Sequence, residues 1–177
     1  MVIYKIKKGN KRSDCWPKIL YFGNTDYATQ GQMITFDESC KYEPFDDTVN
    51  RLFGFRSGIR HKNDSVFFGW TYIPHINVIE IWAGHSFDGL TSHIRLCSVE
   101  LDSQHLLQLR LARNSARLPG GTLYGVEFII DNEVVSRTSF LLKSNFVTTL
   151  TPNFRGSFGA PHDMLIKGTQ IENKQAK

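Results

Sequence analysis

The chain has 177 residues, of which 41% are hydrophobic and 12% aromatic, and a formal net charge of +4. This composition is sufficient for one domain with a hydrophobic core and excludes an intrinsically disordered chain. The basic excess is modest and no five like charges follow one another, so we do not expect a nucleic-acid partner. Cys15, Cys40 and Cys97 lie far apart without metal-ligand spacing, which argues against a disulfide framework or a zinc site.

Segments rich in β-branched and aromatic residues, separated by Gly, Asn and Asp, follow one another along the chain. They predict strands at residues 2–7, 18–22, 33–36, 66–72, 78–82, 106–111, 140–142, 146–150 and 164–166, with two more within 125–135. Residues 73–77 form the loop of a hairpin, and Asp131 with Asn132 forms a tight turn, because both tolerate positive φ. Helical signals are limited to two short turns, at 46–52 and 102–105.

Regular alternation of apolar and polar residues supports the strand assignment. Leu107, Leu109 and Leu111 alternate with Gln108 and Arg110, which is the pattern of a half-buried strand. Many short strands of this kind predict an all-β fold, a two-sheet antiparallel β-sandwich of the jelly-roll, concanavalin-like type. We expect residues 1–167 to form a single domain and 168–177 a polar C-terminal tail.

The sequence also bears on location. No apolar run approaches the roughly 18 residues of a membrane span, and the N-terminal residues do not resemble a signal peptide. We therefore expect no membrane partner and a cytoplasmic location, or a virion location if a phage encodes the protein.

Four short motifs are shared with a known group of proteins. They are RLFGFR at 51–56, HKN at 61–63, FGW at 68–70 and APHD at 160–163. With them the chain resembles an uncharacterised family of small proteins from Bacteroidetes and their phages, although Arg60 stands where the family motif begins with histidine. The resemblance implies no catalytic residues, but it favours a phage structural or interaction protein as one alternative. Residues 106–135 also resemble the late strands of concanavalin-like jelly rolls, a likeness of fold alone.

A polar loop precedes the strongly apolar strand predicted at 66–72. It carries Arg56, Arg60, His61 and Asn63. Loops at the edge of a rigid sheet often hold binding residues, and two guanidinium groups can grip a phosphate or a carboxylate. The alternative is a solvated connection whose polar side chains bond the local backbone.

A second candidate segment, residues 151–163, holds Arg155, His162 and two glycines. The glycines permit positive φ, so that backbone N–H groups can converge on an anion beside Arg155. His162 and Asp163 point to opposite sides of an extended chain, so they do not form a dyad by themselves. Acid–base chemistry would need His162 beside His61, and the alternative is a structural role in which Asp163 caps a turn.

A third candidate is a sheet face. If Ile79 and Ile81 point into the core, Glu80 and Trp82 project from the other side of their strand. Gly69, which leaves a gap, Thr71, Gln108, Arg110 and Glu127 also fall on the non-core sides of their strands, and Glu80 and Glu127 are expected to share a face. A pyranose can stack on an indole while such polar groups bond its hydroxyls. The alternative is an ordinary solvated face with one aromatic residue.

These patterns rank the functions. We place first a non-catalytic binding module for a polar ligand, above all carbohydrate, that uses Trp82 and Glu80 with support from His61 and Asn63. The alternatives are a small anionic ligand such as a nucleotide, held by Arg56, Arg60, Arg155 and the closing loop with His162, and a phage or virion protein that docks a protein partner or a second copy. The sequence shows no nucleophile elbow, P-loop or HExxH spacing, so we assign no catalytic residues and expect no cofactor and no metal. An enzyme that uses His61 and His162 ranks last.

Overall fold

The described part of the protein contains twelve strands and one short 3₁₀ turn at Glu38–Cys40. The computed structural model describes residues 2–14, 19–21, 27–44, 48–58, 64–143, 146–155 and 159–171, with the backbone alone for 19–21, 27–28, 113–118 and 170–171. In these ranges no helix is long and apolar enough to cross a membrane. The strands are β1 Val2–Ile6, β2 Ile19–Tyr21, β3 Tyr27–Phe36, β4 Asn50–Ser57, β5 Ser65–Ile73, β6 Val78–Phe87, β7 Leu90–Glu100, β8 Gln104–Leu118, β9 Gly121–Ile130, β10 Glu133–Leu142, β11 Phe146–Leu150 and β12 Met164–Ile171.

The strands form two antiparallel sheets of six strands each. The first sheet has the order β1-β12-β3-β8-β9-β10, and the second has the order β2-β11-β4-β5-β6-β7. This arrangement confirms the predicted all-β, two-sheet sandwich of the jelly-roll type.

Aromatic side chains from both sheets meet in the core. Phe68 of the second sheet packs edge-on against Phe128 of the first, with ring centroids 5.0 Å apart. Phe36 and Trp70 make a similar contact at 5.4 Å. Leu107, Leu109 and Leu111 are buried in the same cluster, as their alternation predicted.

The hairpin turns follow the sequence signals. Strands β5 and β6 pair from Ile73 and Val78 inward, so the turn between them is short. Asp131 and Asn132 adopt φ values of 49° and 71°, the left-handed conformation that these residue types tolerate better than most. The Asp131 carboxylate also accepts a hydrogen bond from the Leu106 N–H at 2.8 Å, which ties the β9–β10 turn to β8.

Some expectations about individual elements were wrong. Strand β7 was not predicted, and neither of the two segments considered for a helical turn is helical in its described residues, 46 and 47 lying outside them. Asn50–Leu52 instead belongs to β4, and residues 101–102 form a turn before β8 begins at Gln104. Strand β12 continues to Ile171, paired with β3, so the sheet includes residues that we had assigned to the tail.

Candidate functional site

The outer face of the second sheet, which points away from the core, collects most of the residues of interest. Cross-strand partners in antiparallel sheets project to the same side. One line of such partners crosses the sheet through Arg12, Asn153, Arg51, Gly69, Trp82 and Arg95. A second line contains Gly54, Phe67, Gly84 and His93, and a third contains Arg56 and Ser65. We call this surface, together with Arg155, the basic face.

The centre of the basic face is an aromatic ring. Phe67 is fully buried although it lies on the side opposite the core. Its ring lies over Gly84, where a Cβ atom would come within 2.3 Å of it. The guanidinium carbon of Arg51 lies 4.5 Å from the ring centroid, a cation–π contact, and His93 meets the ring edge-on at 6.0 Å. Phe67 therefore holds Arg51 and His93 in place.

Four arginines on this face lack an acidic partner. Within the described part of the chain, Arg12, Arg51, Arg56 and Arg155 form no ion pair. Burial, followed by the charges of Arg155 and Arg56, lowers the pKa of Arg51 to about 10. Burial and the charge of Arg12 likewise lower the pKa of Arg56. Arg51 therefore stays charged at neutral pH, and the Glu80 carboxylate on the same outer face is paired with Arg95, so an anion would find cations that no described carboxylate occupies.

His93 is the titratable group among these cations. Burial, and then the charges of Arg155 and Arg51, lower its pKa below the ordinary value of 6.5. The imidazole is therefore neutral at pH 7. A neutral imidazole beside two guanidinium groups can accept a proton from a bound molecule.

Unpartnered polar atoms concentrate on the basic face and the strands that carry it. Nine buried side-chain N or O atoms of the described residues lack a hydrogen-bond partner. Six of them belong to this outer face: Arg51 Nε, Arg56 Nε, Ser65 Oγ, Thr71 Oγ1, Trp82 Nε1 and His93 Nε2. Since buried polar groups are normally paired, such a concentration is typical of a surface prepared for a polar ligand.

Trp82 and Glu80, the residues of the predicted carbohydrate platform, have surroundings that differ in part from the expectation. Both side chains lie on the outer face, because Trp82 is opposite Gly69 and Glu80 is opposite Thr71. Glu80 is already engaged, since its carboxylate lies 2.6 Å from Arg95 Nε. The gap expected at Gly69 is filled, because a Cβ there would lie 2.3 Å from Val49 Cγ1.

The expectation that Glu80 and Glu127 share a face was wrong. Glu127 lies in β9 of the first sheet and pairs with Arg110 and, at 3.1 Å, with Arg137. Glu80 lies in β6 of the second sheet, so the core separates the two carboxylates. Gln108 and Arg110 likewise project from the first sheet, away from Trp82. Alternation within a strand shows which side of the strand a residue faces, but it does not show which of the two sheets the strand joins.

The remaining predicted site residues do not lie together in the structure. Arg60, His61 and Asn63 lie outside the described residues. Arg56 lies near the end of β4, and Arg155 is tied to the start of the same strand, because its backbone N–H donates to Asn50 Oδ1 at 2.9 Å. His162 bonds the Ser39 carbonyl oxygen at 2.8 Å beside the 3₁₀ turn, apart from the basic face.

The adjacent Asp163 accepts a hydrogen bond from the Lys8 N–H at 2.9 Å, in line with the capping role considered for it. Several residues of the basic face were not recognised in the sequence, among them Arg12, Arg51, Phe67 and His93. The signal for Phe67 was available, because its outward position can be counted from the buried Phe68 and Trp70. Arg51 lies beside a shift in the pairing of β4 with β5, so alternation alone does not give its direction. His93 required β7, which was not predicted.

No protein-family model matches the chain, and no curated protein matches it. The resemblance to the Bacteroidetes family therefore rests on the shared motifs alone. No three His, Cys, Asp or Glu side chains of the described residues are placed to hold a metal ion.

Several solved structures share the fold. One is an alginate lyase in complex with an alginate trisaccharide, with a TM-score of 0.65 and 10% identity over 99% of this chain and 81% of that chain. An alginate lyase from a Chlorella virus has a TM-score of 0.58 and 10% identity over 98% of this chain and 84% of that one. An alginate lyase from Pseudomonas aeruginosa has a TM-score of 0.53 and 10% identity over 85% of this chain and 64% of that one. At these identities the similarity shows the fold alone: this chain has the β-sandwich found in carbohydrate-active proteins.

Proposed function

We propose that the basic face binds an acidic carbohydrate. The observation that carries the proposal is a group of four arginines on one face of the sandwich for which no described residue supplies an acidic partner. Three similar structures are alginate lyases, so alginate, a polyuronate, is the first ligand to test. The proposal retains the carbohydrate ligand that Trp82 suggested and adds that this carbohydrate is negatively charged.

The chemistry of the face suits a uronate. The planar guanidinium groups of Arg51, Arg56 and Arg155 can each grip a carboxylate through two parallel N–H donors. Trp82 is half-buried and offers an indole against which the apolar side of a sugar ring can stack.

Binding of alginate oligosaccharides, measured by isothermal titration calorimetry, tests the proposal. Arg155→Ala removes one cation and keeps the backbone N–H that anchors the segment to Asn50. We expect it to weaken binding about 10- to 100-fold, the value of one charge-assisted hydrogen bond. Arg137→Ala, which removes the same charge from the opposite sheet, is the matched control and should leave binding unchanged.

Two comparisons define the ligand class. A neutral oligosaccharide of the same length should bind far more weakly than alginate, and added salt should weaken only alginate binding. A nucleoside diphosphate in the same titration separates an acidic carbohydrate from a small anion. Equal binding of the neutral and acidic oligosaccharides, or an unchanged affinity in Arg155→Ala, would contradict the proposal.

A second function, polyuronate cleavage by β-elimination, is favoured by His93. A guanidinium group that neutralises the uronate carboxylate makes the adjacent C–H more acidic, and the neutral imidazole can take that proton. The carbon–oxygen bond to the neighbouring sugar breaks as the carbon–carbon double bond forms, and the departing oxygen takes the proton from the imidazolium. Ultraviolet absorbance of the unsaturated product measures the reaction. His93→Gln should abolish it while binding persists. If the wild-type protein binds alginate and forms no product, the face is a binding surface only.

A further inference from the structure

A serine, a histidine and an aspartate meet outside the basic face. Ser103 lies in the connection between β7 and β8, His105 lies near the start of β8, and Asp131 lies in the turn between β9 and β10. His105 pairs with Ile34 of β3, at the end of the first sheet where the buried row of leucines gives way to solvent. The side chains of His105 and Asp131 are 28% and 52% exposed, so a dissolved molecule can reach the cluster.

The three side chains are joined in a definite order. Ser103 Oγ lies 3.0 Å from His105 Nε2. His105 Nδ1 lies 2.8 Å from Asp131 Oδ2. The other carboxylate oxygen, Oδ1, accepts the Leu106 N–H at 2.8 Å, which fixes the direction of the carboxylate. This is the sequence of contacts that activates a serine: nucleophile, base, and a group that orients the base.

The charge of Asp131 sets the role of each ring nitrogen. Burial raises its pKa, but the hydrogen bonds from His105 and Leu106 N–H outweigh this effect, so its pKa is lowered overall. The carboxylate is therefore ionised at neutral pH and accepts the Nδ1 proton. In a neutral imidazole Nε2 then carries a lone pair, and the Ser103 hydroxyl lies beside it.

The Ser103 hydroxyl has one other contact, to the Glu100 carbonyl oxygen at 2.5 Å. A hydroxyl has a single proton, so it donates either to Glu100 or to His105. In the structure the hydroxyl donates to the Glu100 carbonyl oxygen, which is the nearer acceptor. For nucleophilic attack it must rotate so that its proton faces the lone pair of a neutral His105 Nε2. The reactive arrangement is the one with a neutral imidazole.

We propose that Ser103, His105 and Asp131 form a nucleophilic site that hydrolyses carboxylic esters. Ser103 Oγ forms a bond to the acyl carbon as its proton passes to His105 Nε2. The bond from the acyl carbon to the alcohol oxygen then breaks, and that oxygen takes the proton from His105. Water next attacks the acyl-serine with His105 as base, and the carboxylic acid leaves as Ser103 regains its proton. Asp131 is a positioning residue throughout.

Two measurements on the intact protein test this site. Hydrolysis of p-nitrophenyl acetate gives the rate, and labelling by a fluorophosphonate, followed by peptide mapping, identifies the reactive serine. We expect the label at Ser103 and at least a tenfold loss of rate in Ser103→Ala. His75→Ala removes an exposed histidine from the β5–β6 turn and should leave the rate unchanged. This control shows whether exposed imidazole groups hydrolyse the ester without a nucleophilic serine.

Asp131→Asn separates positioning from a structural effect. Asparagine tolerates the positive φ at this position and still accepts the Leu106 N–H, so we expect an unchanged urea midpoint. We expect kcat to fall while KM stays the same, because the ring loses its orientation but the substrate surface does not change. Absence of label at Ser103 in the wild-type protein overturns the proposal, as does an unchanged rate in folded Ser103→Ala.

Discussion

Gly84→Ala tests whether the outer aromatic ring organises the basic face. The added Cβ would lie 2.3 Å from Cε2 and 2.4 Å from Cζ of Phe67, whereas ordinary contact begins near 3.4 Å. The ring must therefore retreat by about 1.1 Å (3.4 less 2.3). It cannot swing freely, because Arg51 lies over one side and His93 meets its edge. We expect a loss of about 1–3 kcal/mol in the free energy of unfolding, the usual cost of overpacking.

Urea denaturation followed by tryptophan fluorescence measures this loss. Gly125→Ala is the matched control, since its Cβ would lie 3.8 Å from the Ala112 carbonyl oxygen, an ordinary contact. We expect that control to change stability by less than about 1 kcal/mol. Gly84→Ala should also weaken alginate binding, because the ring carries Arg51 with it. Equal urea midpoints for the two variants would refute the reasoning.

Two ionic contacts give further predictions. Lys143→Met should lower the free energy of unfolding by about 2–3 kcal/mol, measured by urea titration. The reason is that Lys143 Nζ lies 2.7 Å from the Asp64 carboxylate, which is 4% exposed and would lose this contact. Lys167→Met, which breaks a longer and more exposed contact, should change little. The hydrogen bond from Arg110 lowers the pKa of Glu127 from 4.5. The stability that this hydrogen bond contributes is present above pH 4.5 and is lost as the pH falls through the lowered pKa. Glu127→Gln should therefore lose less stability than the wild type between pH 7 and acid. An identical pH profile for both proteins would contradict this account.

Local sequence patterns were sufficient for the strands whose faces differ in polarity. Leu107, Leu109 and Leu111 identified one side of β8, and the turn at Asp131 and Asn132 followed from backbone preference. Strand β7 lacked such a pattern for two structural reasons. It is an edge strand, so Leu90 and Ile94 are exposed, and its pairing with β6 shifts between Arg95 and Cys97. A strand with exposed apolar residues and a bulge does not alternate.

The candidate site was only partly predictable for a different reason. The outward direction of Trp82 and Glu80 followed from the buried isoleucines beside them, and the structure places both on the outer face. The association of Trp82 with Arg12 and Arg51 depends on which strands are neighbours. Arg12 and Trp82, for example, are separated by more than sixty residues of sequence, so no local pattern encodes their position on one face. The error about Glu127 has the same origin.

The electrostatics of the basic face also determine which ligand it should prefer. Burial and mutual repulsion lower the pKa of Arg51, so the charged guanidinium group opposes folding at neutral pH. Phe67 offsets part of this cost through burial and its contact with the cation. A neutral sugar could gain by stacking on Trp82, but it would leave the repulsion among the arginines in place. A polyuronate would remove that repulsion and pair each cation, so its binding should stabilise the fold as well as fill the face.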